Sequence, residues 1–211
     1  MTTTLSTIDH GFHYVDGWYC PPKMSGPASY LRRSLELEQH IARLRDRRVC
    51  VQAGGHIGIY PRKLAQVFAR VYTFEPEWHN FHCLTINAAL PNIFIARAAL
   101  GKTHAGVDLL LHGKNTGAHQ IAKTGPGPIP MLPIDSLPLD FCDAIFLDLE
   151  GYEIPALQGA QRTLTNHHPL LVVEENKHGN HRGYSYGDIE RLLAPLKYKV
   201  IDRVGEDLVL W

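Results

Sequence analysis

The chain has 211 residues, 45% of them apolar and 20% charged, with 21 basic side chains against 21 acidic ones. That length can bury a sizeable core, and the globular composition excludes wholesale disorder, collagen and coiled coil. Zero net charge argues against a protein held on nucleic acid by electrostatics, and no apolar run reaches the length of a membrane span.

In chain order, residues 1–27 mix Gly11, Gly17, Pro21, Pro22, Gly26 and Pro27 with aromatics and read as an irregular arm or lid. Residues 28–48 read as a leading amphipathic helix, with Leu31, Leu35, Ile41 and Leu44 at near-helical spacing and Ser25 or Ser29 as its cap. Short apolar strands then alternate with helices. Strands are predicted at 49–53, 71–74, 93–96, 144–147 and 170–173, with helices at 61–68, 77–88, 153–164 and 187–193. In the second of these helices Trp78, Phe81 and Leu84 would share one side. Alternation of this kind implies right-handed crossovers and a mostly parallel sheet covered on both faces. Two β-rich stretches, 199–203 and 207–210, are joined by Val204-Gly205-Glu206 and close the chain as an antiparallel hairpin. Residues 101–133, rich in glycine, proline and histidine, read as a β-hairpin insert over the active face. The expectation is a single domain over 1–211, with a Rossmann-like core over 49–211 carrying that insert.

The strongest local signal is Gln52-Ala53-Gly54-Gly55-His56-Ile57-Gly58, where a strand hands over to a helix. Glycines there allow a sharp bend and close approach of backbone to a ligand, at the carboxyl edge where open α/β sheets bind theirs. Glu75, in Thr73-Phe74-Glu75-Pro76, ends the next strand roughly 20 residues after Gly54, the offset at which an acid meets ribose hydroxyls. The loop is not GxGxxG, which counts against a dinucleotide. A second cluster, Asp148-Leu149-Glu150-Gly151-Tyr152-Glu153, follows the fourth strand. Asp148 stands nearest the strand end, and Glu153 is also placed to cap the next helix. A third, Glu174-Glu175-Asn176, ends the fifth. Oxygen ligands of these types suit magnesium, so Asp148, Glu175 and Asn176 form a candidate metal set. None of the 13 histidines has zinc-site spacing; His56 and His178 stand out by position. Arg43, Arg45, Arg47 and Arg48 read as a solvated helix face. Cys20, Cys50, Cys83 and Cys142 lie far apart with no CxxC pair, and the start lacks a charged-then-apolar leader. The expectation is therefore a cytoplasmic protein with reduced thiols.

Together these residues resemble the FkbM-type S-adenosylmethionine-dependent methyltransferases. The resemblance runs from about Val49 to Trp211. It rests on the glycine loop through Gly58, on Phe74-Glu75-Pro76 followed by Asn80, Phe81, Leu84 and Asn87, and on Ile134-Asp135-Ser136-Leu137. The Asp148–Glu153 run followed by Leu157-Gln158-Gly159-Ala160, and the stretch from Pro169 to Glu174, complete it. It implies a class I methyltransferase fold, an α/β three-layer sandwich with a seven-stranded sheet whose last strand is antiparallel. It also implies S-adenosylmethionine held by Gln52, Gly54, Gly55, His56, Gly58, Glu75, Pro76 and Asn80. The reaction implied is O-methylation of a sugar, glycan or other small hydroxylated metabolite, with Asp148 and Glu150 catalytic and magnesium as an optional partner of Asp148. One departure stands out. Gln52 occupies a place where the family usually carries an acid, so cofactor affinity would differ, and a binding module with weak or no catalysis stays open. An RNA ribose 2'-O-methyltransferase also stays open through Asp148, Lys177 and a late glutamate, although the neutral charge argues against it. No membrane partner is expected.

Overall fold

The structure is a computed structural model that describes residues 11–28, 31, 38–112, 115–175 and 183–211. Its centre is a seven-stranded sheet. β3 (Val49–Ala53), β4 (Arg70–Phe74), β5 (Ile93–Ala96), β10 (Ala144–Leu147) and β11 (Leu170–Glu174) are joined by the final pair, β12 (Val200–Val204) and β13 (Asp207–Leu210). The spatial order is β12-β13-β11-β10-β3-β4-β5. Every neighbouring pair from β11 to β5 is parallel, and β13 alone runs against its neighbours β11 and β12. This is the α/β sheet with a closing antiparallel hairpin that the pattern of strands and helices predicts.

Alternation along the strands builds the two cores. Val51, Ala53, Ile145, Leu147, Leu171 and Val173 face one side. There they meet helix α4 (Glu153–Gln158), α5 (Gln161–His167) and α6 (Asp188–Leu193) through Ile154, Leu157, Leu164, Ile189 and Leu193. Cys50, Ala144, Phe146, Leu170 and Val172 face the other, against Leu64 of α2 (Ile59–Leu64) and Ile41 of α1 (Glu38–Ile41). Burial on both faces is why these strands read as continuous apolar runs.

Three expectations are refined. Of the leading helix, Glu38–Ile41 is helical, while Ser29 and Leu35 lie outside the described residues. The predicted helix over 153–164 is two helices, because the chain bends at Gly159, where an added Cβ would strike the carbonyl of Gly101. In α3 (Trp78–Asn87) the buried positions are Asn80, Cys83, Leu84 and Asn87, whereas Trp78 is half exposed. Trp78 therefore lies toward the surface, and two of the four buried positions are asparagines.

The arm carries a hairpin, β1 (His13–Val15) with β2 (Trp18–Cys20). Asn87 of α3 holds it by exchanging two hydrogen bonds with the Tyr19 backbone, at 2.9 and 2.8 Å, and also donates to the Ile57 carbonyl at 2.7 Å. The insert is more than a hairpin. β7 (Ala105–Leu110) and β8 (Gln120–Gly125) form the antiparallel pair, and β9 (Ile129–Leu132) returns beside β7 and β6 (Ala99–Leu100) as a four-stranded sheet. It has its own small core of Val107, Ile121, Ile129 and Met131. All four cysteines are free and buried, and no helix among the described residues is long and apolar enough to cross a membrane.

Candidate active site

The carboxyl ends of β3, β4 and β10 open into a cleft of about 350 Å³, within the range of small-molecule sites. Its floor is glycine backbone. Gly54 has φ +80°, and a Cβ there would run into the Asp148 carbonyl oxygen. The N–H groups of Gly54 and Gly55 both reach the Phe74 carbonyl, at 3.1 and 3.0 Å, which folds the loop back on β4. Gln52 lies below this bend, 3% exposed. Its Nε2 donates to the Gly54 carbonyl at 3.0 Å, and its Oε1 accepts from the Thr73 hydroxyl. It borders a narrow recess beside the cleft with Asp148 and Asp207 rather than the cleft itself. Gly58, at φ +96°, also stands off the cleft; it lets α2 start against Leu84 of α3 and Ala88 just past its end. Gly54, Gly55, His56, Glu75, Pro76 and Asn80 do line the cleft.

Glu75 is 5% exposed and its carboxylate is held by two backbone donors, His56 N–H at 2.8 Å and Glu77 N–H at 2.9 Å. Burial nevertheless pushes its pKa up to about 7. Its next helix begins with Glu77, which caps α3 by accepting from the Asn80 N–H at 2.8 Å. Burial, with the neighbouring His119 second, brings His56 down to about 4, so its ring is neutral at physiological pH.

At the other end, Asp148, Glu150 and Glu174 bring carboxylate oxygens within 4.8 Å of one another. Glu150 and Gly151 both take left-handed backbone, φ 53° and 94°, so the chain turns sharply just after Asp148. Glu153 braces this turn by accepting from the Leu149 N–H at 2.7 Å and the Gly151 N–H at 3.3 Å, and burial raises its pKa to about 7. Its role is in the turn, in keeping with a helix-start acid.

The predicted metal set is not what the fold assembles. Successive side chains of a strand point to opposite faces, so Glu174 joins Asp148 while Glu175 turns away. The Glu175 carboxylate is taken by Arg203 at 2.8 Å and by the Gly187 N–H at 2.7 Å. Asn176 and His178 lie outside the described residues.

The insert lies over the cleft as the sequence suggests, through residues that the sequence alone does not single out. Asn115, Gly117, Ala118, His119, Leu109 and Ile121 of the insert line the cleft, and Glu206 reaches it from the final hairpin turn. Between two of these roof residues, Thr116 is tied to the floor. Its carbonyl accepts from Asn80 Nδ2 at 2.7 Å, and its hydroxyl bonds His56 Nε2 at 3.1 Å. Only the density of glycine and histidine around residues 101–133 hinted at such a contact.

Residues 52–200 match a family model described as a methyltransferase FkbM domain. Among solved structures, the chain is similar to the methyltransferase FkbM from Methylobacillus flagellatus KT, with TM-score 0.60 and 22% identity over 88% of this chain and 50% of that one. It also resembles the N-methyltransferase NodS from Bradyrhizobium japonicum WM9, with TM-score 0.54 and 11% identity over 88% and 95% of the two chains. The precorrin 8W decarboxylase from Methanobacterium thermoautotrophicum gives 0.53 and 13% over 92% and 94%. At these identities the likeness is one of fold, and the chain spans half the length of the Methylobacillus protein. No curated protein matches the chain.

Proposed function

The chain belongs to the FkbM methyltransferase family, and on that premise we propose that it moves the methyl group of S-adenosylmethionine to a hydroxyl of a sugar, glycan or other small hydroxylated metabolite. The carrying observation is one cleft with a glycine floor, a buried acceptor carboxylate at one end and Asp148 at the other. The residues fit the nucleoside of such a donor. Glu75 offers its remaining lone pairs to ribose hydroxyls, and the absence of side chains at Gly54 and Gly55 lets the floor pack against the Asp148 carbonyl and against Leu84 and Thr73, so that backbone lines the cleft there. Asn80, 2% exposed, has a buried side-chain oxygen with no hydrogen-bond partner among the described residues, an acceptor that a bound hydrogen donor would satisfy.

When bound, the donor supplies a methyl group already activated by a positive sulfur. The protein then has to align an acceptor hydroxyl, remove its proton and keep water out. Asp148, at the end of β10 and half-buried in the cleft wall, is the base that takes the hydroxyl proton. Glu150, on the left-handed turn beside it, orients the acceptor. Gln52 holds the Gly54 carbonyl with an amide hydrogen, which an acid could not do, so the neutral residue keeps the loop in place without a buried charge. This favours the catalytic reading over a module that has lost its chemistry.

Calorimetry with S-adenosylmethionine and S-adenosylhomocysteine tests the premise, and a panel of glycans with labelled donor tests the acceptor class. Asp148→Asn should lower turnover about 100-fold or more while leaving S-adenosylhomocysteine affinity close to that of the parent. Folded protein that binds neither compound would sink the proposal.

A further inference from the structure

Three observations tie the insert to the methyl donor. First, the strap at residues 115–119 is bonded on both sides, to His56 of the glycine loop and to Asn80 of α3. Second, the bond from Asn80 Nδ2 to the Thr116 carbonyl fixes which way the amide faces. A carbonyl only accepts, so the NH2 must point to the strap, and the oxygen is left as a buried acceptor without a partner among the described residues. Third, His119 lines the same cleft and accepts a hydrogen bond at Nδ1 from the backbone N–H of His112, at 3.1 Å. A neutral ring with Nδ1 accepting carries its hydrogen on Nε2, and burial favours that neutral form by lowering the His119 pKa.

Two residues that line the cleft therefore carry an acceptor of set direction and, three residues along the strap from Thr116, a ring N–H donor. Adenine presents the complement: amino hydrogens to give and ring nitrogens to receive. Ala98, Ala99, Leu100, Ala118 and Ile121 supply apolar surface around the same space. We propose that the insert reads the adenine base of the methyl donor, with Asn80 Oδ1 and His119 Nε2–H as the pair that recognises it and Thr116 as the residue that positions Asn80. This rests on the methyltransferase reading above, and goes beyond it by giving the insert a role in donor specificity.

The test compares S-adenosylhomocysteine with S-inosylhomocysteine, in which a 6-oxo group replaces the amino group and the adjacent ring nitrogen carries hydrogen. Both hydrogen-bonding roles are thereby reversed. Calorimetry on the whole chain should show the parent preferring the adenosyl compound by about tenfold or more. Asn80→Ala and His119→Ala should each shrink that preference to about threefold or less. Thr116→Val keeps the carbonyl on Asn80 but removes the hydroxyl that anchors the strap on His56; the loosened strap should weaken adenosyl binding several-fold (roughly 3–10-fold), and Thr116→Ser, which keeps the hydroxyl, should restore it. Thermal melts establish that each variant is folded, and the Thr116 pair serves where Asn80→Ala does not fold. An unchanged preference in folded Asn80 and His119 variants, even with both ligands weakened, would overturn the proposal and leave the methyltransferase reading standing. A folded parent that binds neither ligand removes both.

Discussion

Glu75 shows how a single buried carboxylate ties function to pH. Its pKa near 7 means that it is protonated through much of the mildly acidic range, and a protonated carboxyl loses acceptor capacity for two ribose hydroxyls. Donor affinity should therefore fall as pH drops below about 7, and Glu75→Gln should lower affinity on the order of 100-fold at pH 8 and flatten the profile; calorimetry across pH 5.5 to 8.5 reads both. Unliganded stability runs the other way. Glu75 and Glu153 both have folded pKa values raised to about 7, so between about pH 4.5 and 7 the native state binds more protons than the unfolded one. Stability must then decline as pH rises through that window, by on the order of 3 kcal/mol per group, which thermal melts without ligand at pH 5.5 and pH 8 would register as a lower midpoint at the higher pH. Gln52 is the other instructive residue. Restoring an acid with Gln52→Glu removes the hydrogen given to the Gly54 carbonyl and buries a charge beside it. The expected result is a loss of about 2–3 kcal/mol in urea unfolding together with weaker donor binding; a gain in affinity would show that charge, and not loop support, is what this position lacks.

At the scale of elements, the strand–loop–helix unit from β3 to α2 separates two uses of glycine. Gly54 and Gly58 both have left-handed φ, but their surroundings differ. A Cβ at Gly54 would collide with the backbone of Asp148, which cannot give way without moving the turn at Glu150. A Cβ at Gly58 would come within 3.1 Å of a Leu84 methyl, which can shift. Gly54→Ala should thus cost about 3 kcal/mol or more and abolish measurable donor binding. Gly58→Ala should cost about 1–2 kcal/mol and leave donor affinity largely intact in the folded fraction. Equal losses of affinity in the two variants would mean that Gly58 belongs to the floor after all. The same contrast explains why the glycine string, read as one motif, divides in the structure into a cleft floor and a packing joint.

Across the whole molecule, separate pieces converge on one cleft: the central sheet, the insert sheet and the turn of the final hairpin. The N-terminal hairpin takes no wall of the cleft but steadies what does. Asn87 joins β2, α3 and the loop at Ile57 through three hydrogen bonds, so it links the arm to the helix that carries Asn80. Asn87→Ala would leave the Tyr19 N–H and the Ile57 carbonyl without that partner. Chemical unfolding should show a loss of about 2–4 kcal/mol, and rapid proteolysis of the arm should accompany it. A variant as stable as the parent would mean that the hairpin is held by its aromatic contacts, such as the stacking of Phe12 on Tyr19 at 5.4 Å.

The central strands, their parallel order and the closing hairpin were legible because burial on both faces imposes apolar runs, and glycine and acid at strand ends are local requirements of a ligand edge. Gly54, Glu75 and Asp148 could be picked out for that reason. The sequence by itself thus determined the sheet, the family and the strand edge at which the cleft opens. Only the tertiary structure decided that Glu174 and not Glu175 joins Asp148, since a one-residue step in a strand reverses the side-chain direction. It alone revealed that Thr116, distant in the chain, sets the amide of Asn80, and that Gln52 supports the loop from beneath. Contacts of that kind depend on how loops of different origin meet in space, and no local periodicity or propensity encodes the meeting.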